Sequence, residues 1–291
     1  MYSLGVNRLG VTNTNTINLI KSLFAAGEKG AWYDPSDLAS MFQVSNGTTA
    51  AVVGQPVGYI ADKSGNANHA IQATDAKRPI LRVDAVGSLY LDFDGDCLQA
   101  ASFDLTGTDE LSFFTGHKKV GTANSILIEH SADSPNTNGT FRVNAPAADT
   151  NVDYVFSSGG TTRRDLTVTG GYEEPLTAIT SYTAKIATPL QTVSINRNTD
   201  LTETGAMGSG NYTSQTLNIG SRNNAASHPF VGRLYSIIVR GAGCTAAEIL
   251  KIETYVGQKT GISTQIDDIA TLDLNFEAND YAIYNRNGGA L

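Results

Sequence analysis

The sequence predicts an all-β protein, built as an antiparallel β-sandwich with one short helix near its end. Three observations predict this class. Apolar and polar residues alternate with period two in several short runs, as in strands with one face on a core. Clusters of glycine, asparagine and proline separate these runs. About a quarter of the 291 residues are threonine, serine or asparagine and 29 are glycine, a composition that favours strands and turns.

Residues 1–29 form a predicted N-terminal arm with one amphipathic helix. Its apolar side chains recur at helical spacing: Ile17, Ile20, Leu23 and Phe24. Thr14 or Thr16 can cap this helix, and Gly27 can end it. A helix this short is unstable alone, so its apolar stripe must dock on the body of this chain or on a partner. We predict that the stripe anchors a partner.

Residues 30–262 form the predicted sandwich, because strand patterns dominate this range. In the clearest run, Leu89, Leu91 and Phe93 alternate with Tyr90 and two aspartates. Similar patterns predict strands at residues 111–114, 125–129, 153–156, 166–169, 193–196 and 217–220. Recurring strand and turn units with almost no helix between them are typical of an antiparallel sandwich.

One helix is predicted at the end of the sandwich. Thr245 and Glu248 have the spacing of a capping box, and Gly257 can end the helix. Residues 263–291 then form a predicted C-terminal extension with an alternating apolar pattern: Leu272, Leu274 and Phe276. We predict that these three side chains also anchor a partner.

Charge and composition exclude several classes of function. Acidic residues outnumber basic ones by 28 to 20, and a net charge of −8 argues against a nucleic-acid-binding surface. No apolar run approaches the ~20 residues that span a bilayer. The N-terminus lacks the pattern of a secretory signal, so we expect synthesis in a cytoplasm. There Cys97 and Cys244 stay free thiols, with a single disulfide as the alternative.

Three segments carry a resemblance to a known fold family. They are residues 62–69 (DKSGNANH), residues 91–96 (LDFDGD), and residues 217–220 followed by 230–239 and the capped helix. In this order and spacing they resemble the concanavalin A-like, laminin-G-like jelly roll. The resemblance implies a two-sheet jelly roll over residues 30–262.

A narrower resemblance rests on further short segments. They are residues 31–38 (AWYDPSDL), 54–58 (GQPVG), 62–65 (DKSG), 78–79 (RP) and 240–242 (RGA). These resemble jelly-roll proteins of tailed bacteriophages and prophages. The resemblance implies a structural protein at the virion surface, in a tail fibre, a baseplate or a capsid decoration. It implies other virion proteins as partners, a homo-oligomer or symmetric array, and synthesis in the host cytoplasm.

The chain lacks the motifs of enzyme chemistry. Concanavalin A-like glucanases use paired carboxyls on one strand face in an E-x-D-x-x-E string, which does not occur here. Glu129 is followed by His130, but adjacent strand residues point to opposite faces, so these two residues do not form a catalytic dyad. The four histidines show no metal-ligand spacing. We therefore predict that the protein is not an enzyme, with glycan hydrolase as the least favoured alternative.

Two oxygen-rich segments are candidate calcium sites, although no cofactor is required. Asp92, Asp94 and Asp96 place three carboxylates within five residues, which suits Ca²⁺, and an exposed acidic strand end is the alternative. From Asp62 onward, oxygen side chains fall at alternate positions as in an EF-hand, but the glycine comes at position four. For this segment we favour an Asx-rich turn closed by its own side-chain hydrogen bonds.

Sugar binding needs an aromatic platform beside amide or carboxylate groups. Trp32 is one candidate, although an aromatic residue at a strand start also fits the core. Tyr172 and Tyr212 lie beside glycines at predicted loop tips, where jelly rolls carry function. The alternative to the virion role is therefore a lectin-like module that recognises host glycans, and the two roles are compatible.

Overall fold

The structure is a computed structural model that describes residues 14–121, 124–132, 138–145, 152–172 and 175–262. It confirms the predicted fold class, because two antiparallel sheets form a sandwich and a helix follows the last strand. Each run that the sequence predicts as a strand overlaps a strand. No helix in the described ranges is long and apolar enough to cross a membrane.

Short strands and two helices make up the described chain. The strands are Gly30–Tyr33 (β1), Met41–Phe42 (β2), Tyr59–Ile60 (β3), Ala70–Ile71 (β4), Ile80–Val83 (β5), Leu89–Asp94 (β6), Leu98–Asp104 (β7), Glu110–Lys119 (β8), Ile126–His130 (β9), Thr140–Asn144 (β10), Tyr154–Gly159 (β11), Arg163–Val168 (β12), Leu176–Lys185 (β13), Leu190–Ile195 (β14), Asn198–Glu203 (β15), Ser214–Ile219 (β16) and Val231–Arg240 (β17). The helices are Thr14–Ser22 (α1) and Ala246–Thr260 (α2), and 3₁₀ turns cover Leu38–Ser40 and Asp75–Lys77.

These strands form two sheets, which we call sheet I and sheet II. Within the described residues, sheet I has eight strands in the order β15-β14-β13-β8-β17-β6-β5, and β1 also pairs with β17. Sheet II has nine strands in the order β12-β11-β10-β9-β16-β7-β4-β3-β2 in the same ranges. Strands distant in sequence therefore lie side by side, as β16 does between β7 and β9.

Two hydrophobic clusters hold the fold together. The main core lies between the sheets and is rich in aromatic side chains, such as Tyr33, Phe113 and Tyr182. The second cluster covers the outer face of sheet I, where α1 and α2 pack on Trp32 and Phe114. Successive side chains of a strand point to opposite faces, so the neighbours Phe113 and Phe114 belong to different clusters.

Helix α1 belongs to the second cluster, which corrects the prediction that its stripe anchors a partner. Ile20 and Leu23 are fully buried, Phe24 is nearly so, and Ile17 is half-buried against the same cluster. This chain already covers their apolar surface, so they are not available to another protein. Gly27 follows the helix with φ of 88°, in the left-handed region expected where a helix stops.

The structure does not test the C-terminal half of the anchoring prediction. Leu272, Leu274 and Phe276 lie outside the described residues, so their contact with a partner stays a prediction. The division into an arm (1–29), a sandwich (30–262) and an extension (263–291) likewise stays a prediction. Both cysteines are free, as predicted: Cys97 is buried and Cys244 is half-buried.

Helix α2 begins where the sequence predicts and ends later. The capping box is confirmed, because Thr245 Oγ1 accepts from the Glu248 amide at 3.2 Å and Thr245 N donates to the Glu248 carboxylate at 2.7 Å. The predicted stop at Gly257 is wrong, since Gly257 is buried within the helix and Gly261 ends it with φ of 70°. An interior glycine costs a helix about 1 kcal/mol, which the packing of Val256 in the second cluster offsets.

Candidate functional site

The predicted calcium site at Asp92, Asp94 and Asp96 is not formed. Asp92 Oδ2 lies 3.5 Å from Arg82 Nε, and Asp96 Oδ2 accepts from the Asp94 amide at 2.9 Å. Burial raises the pKa of Asp96, and the hydrogen bond from the Asp94 amide opposes that rise. Among the described residues, no group of three or more His, Cys, Asp and Glu side chains could hold a metal ion. The segment is the acidic strand end that was the alternative interpretation.

The segment from Asp62 is closed on itself, as the Asx-turn interpretation predicts. Asp62 Oδ1 accepts from the backbone N–H groups of Trp32 at 2.9 Å and Ser64 at 2.8 Å. Its Oδ2 accepts from Ser64 Oγ at 2.8 Å and from Asn68 N at 3.0 Å. These four donors occupy the acceptor positions of the carboxylate. The turn therefore fixes the start of β1 and offers no oxygen to calcium.

The three aromatic candidates do not form a sugar-binding surface, which corrects that prediction. Trp32 is fully buried beneath α2, and its ring centroid lies 5.9 Å from that of Tyr255 in an edge-to-face contact. Tyr212 is 1 % exposed, and its hydroxyl lies 2.5 Å from the Ser158 hydroxyl. Its loop turns toward the main core instead of outward. Tyr172 is half-buried against that core.

The outer face of sheet II carries a different candidate, a row of directly opposed side chains. Each member pairs with the next on the neighbouring strand, because the strand register aligns them. We call this set the cross-strand row; in order, its members are Phe42, Tyr59, Ile71, Gln99, Asn218, Glu129, Arg142, Ser157 and Asp165. Opposed side chains of an antiparallel sheet have Cβ atoms about 5 Å apart, so the row is continuous across the sheet, with Asn218, Glu129 and Ser157 buried within it.

Tyr59 is the centre of an aromatic group at one end of the row. Its ring centroid lies 5.5 Å from that of Phe42 and 5.2 Å from that of His69. Tyr59 and Phe42 are half-buried, and Ile71 beside them is 37 % exposed. A partly exposed aromatic surface of this kind can pack against the C–H face of a sugar ring.

Amide side chains continue the strip beside this aromatic group. Gln99 Nε2 donates to Asn218 Oδ1 at 2.7 Å, and Gln72 Nε2 donates to Asn224 Oδ1 at 2.8 Å. Asn224 belongs to the loop of residues 221–228, and its backbone N–H donates to Asn218 Oδ1 at 3.4 Å. The loop therefore contacts the row. Four non-glycine residues of this loop have positive φ, which is costly unless the surroundings hold it. The loop is therefore held in place beside the row, and the partly exposed amides of Gln99 and Asn224 can both donate to and accept from sugar hydroxyls.

Arginine side chains gather at the other end of the row. Glu129 is fully buried and accepts from Arg222 Nε and Nη2 at 2.9 to 3.2 Å. Arg163 Nε lies 3.0 Å from Asp165 Oδ1, and Arg142 Nη2 lies 4.0 Å from Asp165 Oδ2. This end of the row therefore brings three guanidinium groups together among the described side chains, in a chain whose net charge is −8.

Neighbouring guanidinium groups contribute to the pKa shifts of two basic groups at this end of the row. Burial lowers the pKa of Arg142, and repulsion by Arg163 adds to that shift. Burial also lowers the pKa of His228, with a further contribution from Arg222. An anionic group bound at this end would relieve that repulsion.

The cross-strand row is not among the predicted sites, although Glu129 was weighed as half of a catalytic dyad. Its members come from nine strands, and only the register brings them together. One local signal could have indicated them, a polar residue at an outward position in mid-strand. Arg142, between the buried Phe141 and Val143, is an example.

Comparison with known proteins shows the fold and no family. No protein-family model matches the sequence, and no curated protein matches it. Among solved structures, it is similar to botulinum neurotoxin type C, described as interacting with two ganglioside molecules (TM-score 0.53, 10% identity, 82% of this chain and 53% of that chain). It is also similar to the binding domain of botulinum neurotoxin serotype D/C (TM-score 0.52, 10% identity, 81% and 53% covered).

A third similar structure is Trypanosoma rangeli sialidase in complex with 2,3-difluorosialic acid (TM-score 0.50, 10% identity, 80% of this chain and 33% of that chain). The chain therefore spans between a third and about half of the length of these proteins. At this level of identity the likeness shows the fold alone, a jelly-roll-like β-sandwich. The predicted resemblance to jelly rolls is confirmed at that level.

Proposed function

We propose that this chain is a glycan-binding module, with its ligand lying along the cross-strand row of sheet II. The observation that carries the proposal is the order of side chains in the row. Tyr59 supplies an apolar surface, Gln99 supplies an amide that the buried Asn218 holds in place, and Arg142, with Arg163 beside the row, supplies charge. Carbohydrate recognition combines an apolar surface with a few polar groups in fixed positions.

The charged end favours glycans that carry a carboxylate or a sulfate. A guanidinium group can form two parallel hydrogen bonds to a carboxylate or a sulfate. The fold neighbours named for gangliosides and for a sialic acid derivative support the same class of ligand. Binding without cleavage is part of the proposal, because Glu129 is fully buried under Arg222 and cannot reach a glycosidic bond.

A glycan array with neutral, sialylated and sulfated glycans tests the proposal on the full chain. We expect binding to acidic glycans that persists in EDTA, and no reducing-sugar release from the bound glycan. Tyr59→Ala and Arg163→Ala should each weaken binding about tenfold, a loss of about 1.4 kcal/mol. No binding to any glycan, or equal binding by both variants and the unchanged protein, would contradict it.

Arg164→Ala is the matched control for Arg163→Ala. Arg164 is the next residue of β12, faces away from the row and lies 3.2 Å from Glu203 across the edge of sheet I. Its loss removes the same charge from the chain but leaves the arginine side chains beside the row unchanged. Glycan binding should therefore be unchanged in Arg164→Ala, and circular dichroism should show all three variants folded.

The virion location rests on the sequence resemblance alone and is compatible with glycan binding. Immunogold labelling of phage particles with an antibody to this chain would test it. Label on the tail or capsid surface would support that location, and unlabelled particles would count against it. The same preparation can show whether the protein assembles as a symmetric array.

A further inference from the structure

A groove lies on the opposite side of the sandwich from the cross-strand row. It runs between α2 and the outer face of strands β13 and β14 in sheet I, and it has a volume of about 250 Å³. We call it the helix groove. Neither the predicted sites nor the proposed glycan site uses any of its residues.

The floor of the helix groove is a ladder of hydroxyl groups. Ser181 pairs with Ser194 across the two strands, and Thr183 pairs with Thr192 one step further. Elsewhere under the helices, the same face of sheet I carries apolar side chains such as Phe114. A sheet face sealed by a helix needs apolar residues, so the change to hydroxyls marks a part of the face that α2 leaves open.

A carboxylate and a guanidinium stand side by side at the edge of this floor. Glu253 is 5 % exposed, and its Oε1 accepts from Ser181 Oγ at 2.6 Å. Its Oε2 lies 3.9 Å from Arg197 Nε, too far for a hydrogen bond. Arg197 Nε is buried and donates to no group among the described residues. Arg197 Nε therefore keeps a donor that a buried group normally uses, and Glu253 Oε2, as a carboxylate oxygen, can accept from more than one donor.

The backbone holds Arg197 in this position. Asn196 and Arg197 form the two-residue turn between β14 and β15, with φ of 51° and 69°. Such a left-handed conformation costs an arginine about 1–2 kcal/mol. Arg197 Nη2 donates to Thr254 Oγ1 and, at 3.4 Å, to the Leu250 carbonyl, both on α2. The turn and the helix thus fix the guanidinium beside Glu253.

We propose that the helix groove binds one small neutral polyol, such as a single sugar ring with two adjacent hydroxyls. One ligand hydroxyl donates to Glu253 Oε2, and its neighbour accepts from Arg197 Nε. The ligand is neutral because the charges of Glu253 and Arg197 cancel. Ile249 and Leu250 of α2 line the groove and contact the C–H side of the ring. This site is independent of the glycan site proposed for sheet II.

Saturation-transfer NMR and calorimetry on the full chain, with methyl glycosides of common hexoses and with glycerol, test this proposal. We expect at least one probe to bind at millimolar concentration, and Glu253→Gln to weaken it about tenfold. The double variant Thr183→Val, Thr192→Val keeps the side-chain shapes and removes two hydroxyls, so it should also weaken binding if Glu253→Gln fails to fold. Tyr59→Ala should leave binding of the probe unchanged.

Three results would overturn the proposal. The first is the absence of binding by every probe, and the second is a bound probe that neither groove variant weakens. The third is weaker binding of the probe by Tyr59→Ala, because the sugar would then lie on sheet II. An absence of binding on the glycan array would contradict the proposed site on sheet II but not the proposed site in the helix groove.

Discussion

The guanidinium of Arg240 lies 2.8 Å from the carboxylate of Glu28, and this contact joins the segment after α1 to strand β17. Arg240 Nε also donates to the Leu23 carbonyl at 2.8 Å, and Nη1 donates to the Gly243 carbonyl at 2.6 Å. Arg240 is 9 % exposed. One buried side chain therefore connects the end of α1, the end of strand β17 and the turn before α2.

We expect Arg240→Ala to lower the free energy of unfolding by about 3 kcal/mol. The substitution leaves Glu28 and the Leu23 carbonyl without their partner in a largely buried place. Urea unfolding at neutral pH measures the loss. Lys29→Ala is the control, because its ion pair with Asp104 is exposed and such pairs contribute about 0–1 kcal/mol. Equal losses in both variants would mean that Arg240 does not have this connecting role.

Leu23→Ala tests whether α1 docks on its own chain. Leu23 is 1 % exposed within the second cluster, so its truncation should cost about 3 kcal/mol of stability in the isolated protein. Val86→Ala, at a residue that is 72 % exposed, should cost less than about 0.5 kcal/mol. An isolated protein whose urea midpoint is insensitive to Leu23→Ala would restore the partner-anchoring hypothesis.

The parts of the fold that the sequence predicts are those with a local cause. Thr245 and Glu248 are three residues apart and need only each other, so the start of α2 could be recognised from four letters of sequence. The end of α2 could not, because Gly257 is buried in a helix that packs on the distant strands β8, β13 and β17. The surface on which α1 docks could not be predicted either, since the cluster that receives its apolar stripe includes Ile238 and Tyr255, which are more than 200 positions away.

Asp62→Ala should lower the free energy of unfolding by about 3 kcal/mol without any effect of calcium. The alanine leaves the buried Trp32 N–H, among other donors, without an acceptor. Asp62→Asn should cost less, because an amide oxygen can still accept from Trp32 and Ser64. Thermal unfolding in EDTA and in millimolar CaCl₂ makes the measurement. A melting temperature that rises with calcium would contradict the closed turn.

The candidate site illustrates a different limit of sequence-based prediction. Tyr59 and Gln99 lie 40 positions apart and meet only because β3 and β7 both pair with β4. Strand register is set by the whole sheet, and a slip of one residue would turn every side chain to the other face. Tyr212 shows the reverse case, since its glycine-rich neighbours suggested a loop tip while its ring is buried.

Two buried histidines should make the protein lose stability as the pH falls below 6.5. His117 is fully buried, with Nε2 2.8 Å from the Tyr154 hydroxyl, and burial followed by repulsion from Lys119 lowers its pKa to about 3. Burial lowers the pKa of His130 to about 4, against a hydrogen bond to the Phe103 carbonyl and the charge of Asp104. Both imidazoles are therefore neutral in the folded protein at pH 5.

The unfolded chain binds protons at these histidines below pH 6.5 while the folded chain does not, so acid favours unfolding. Their stabilising contribution is complete above pH 6.5 and falls by about 1.4 kcal/mol per pH unit for each histidine. The loss from His130 ends near pH 4 and that from His117 near pH 3. Urea unfolding between pH 7 and 5 should show the combined slope of the unfolding free energy against pH. His117→Gln and His130→Gln should each remove roughly half of it, and a slope that neither variant changes would assign the acid sensitivity to other groups.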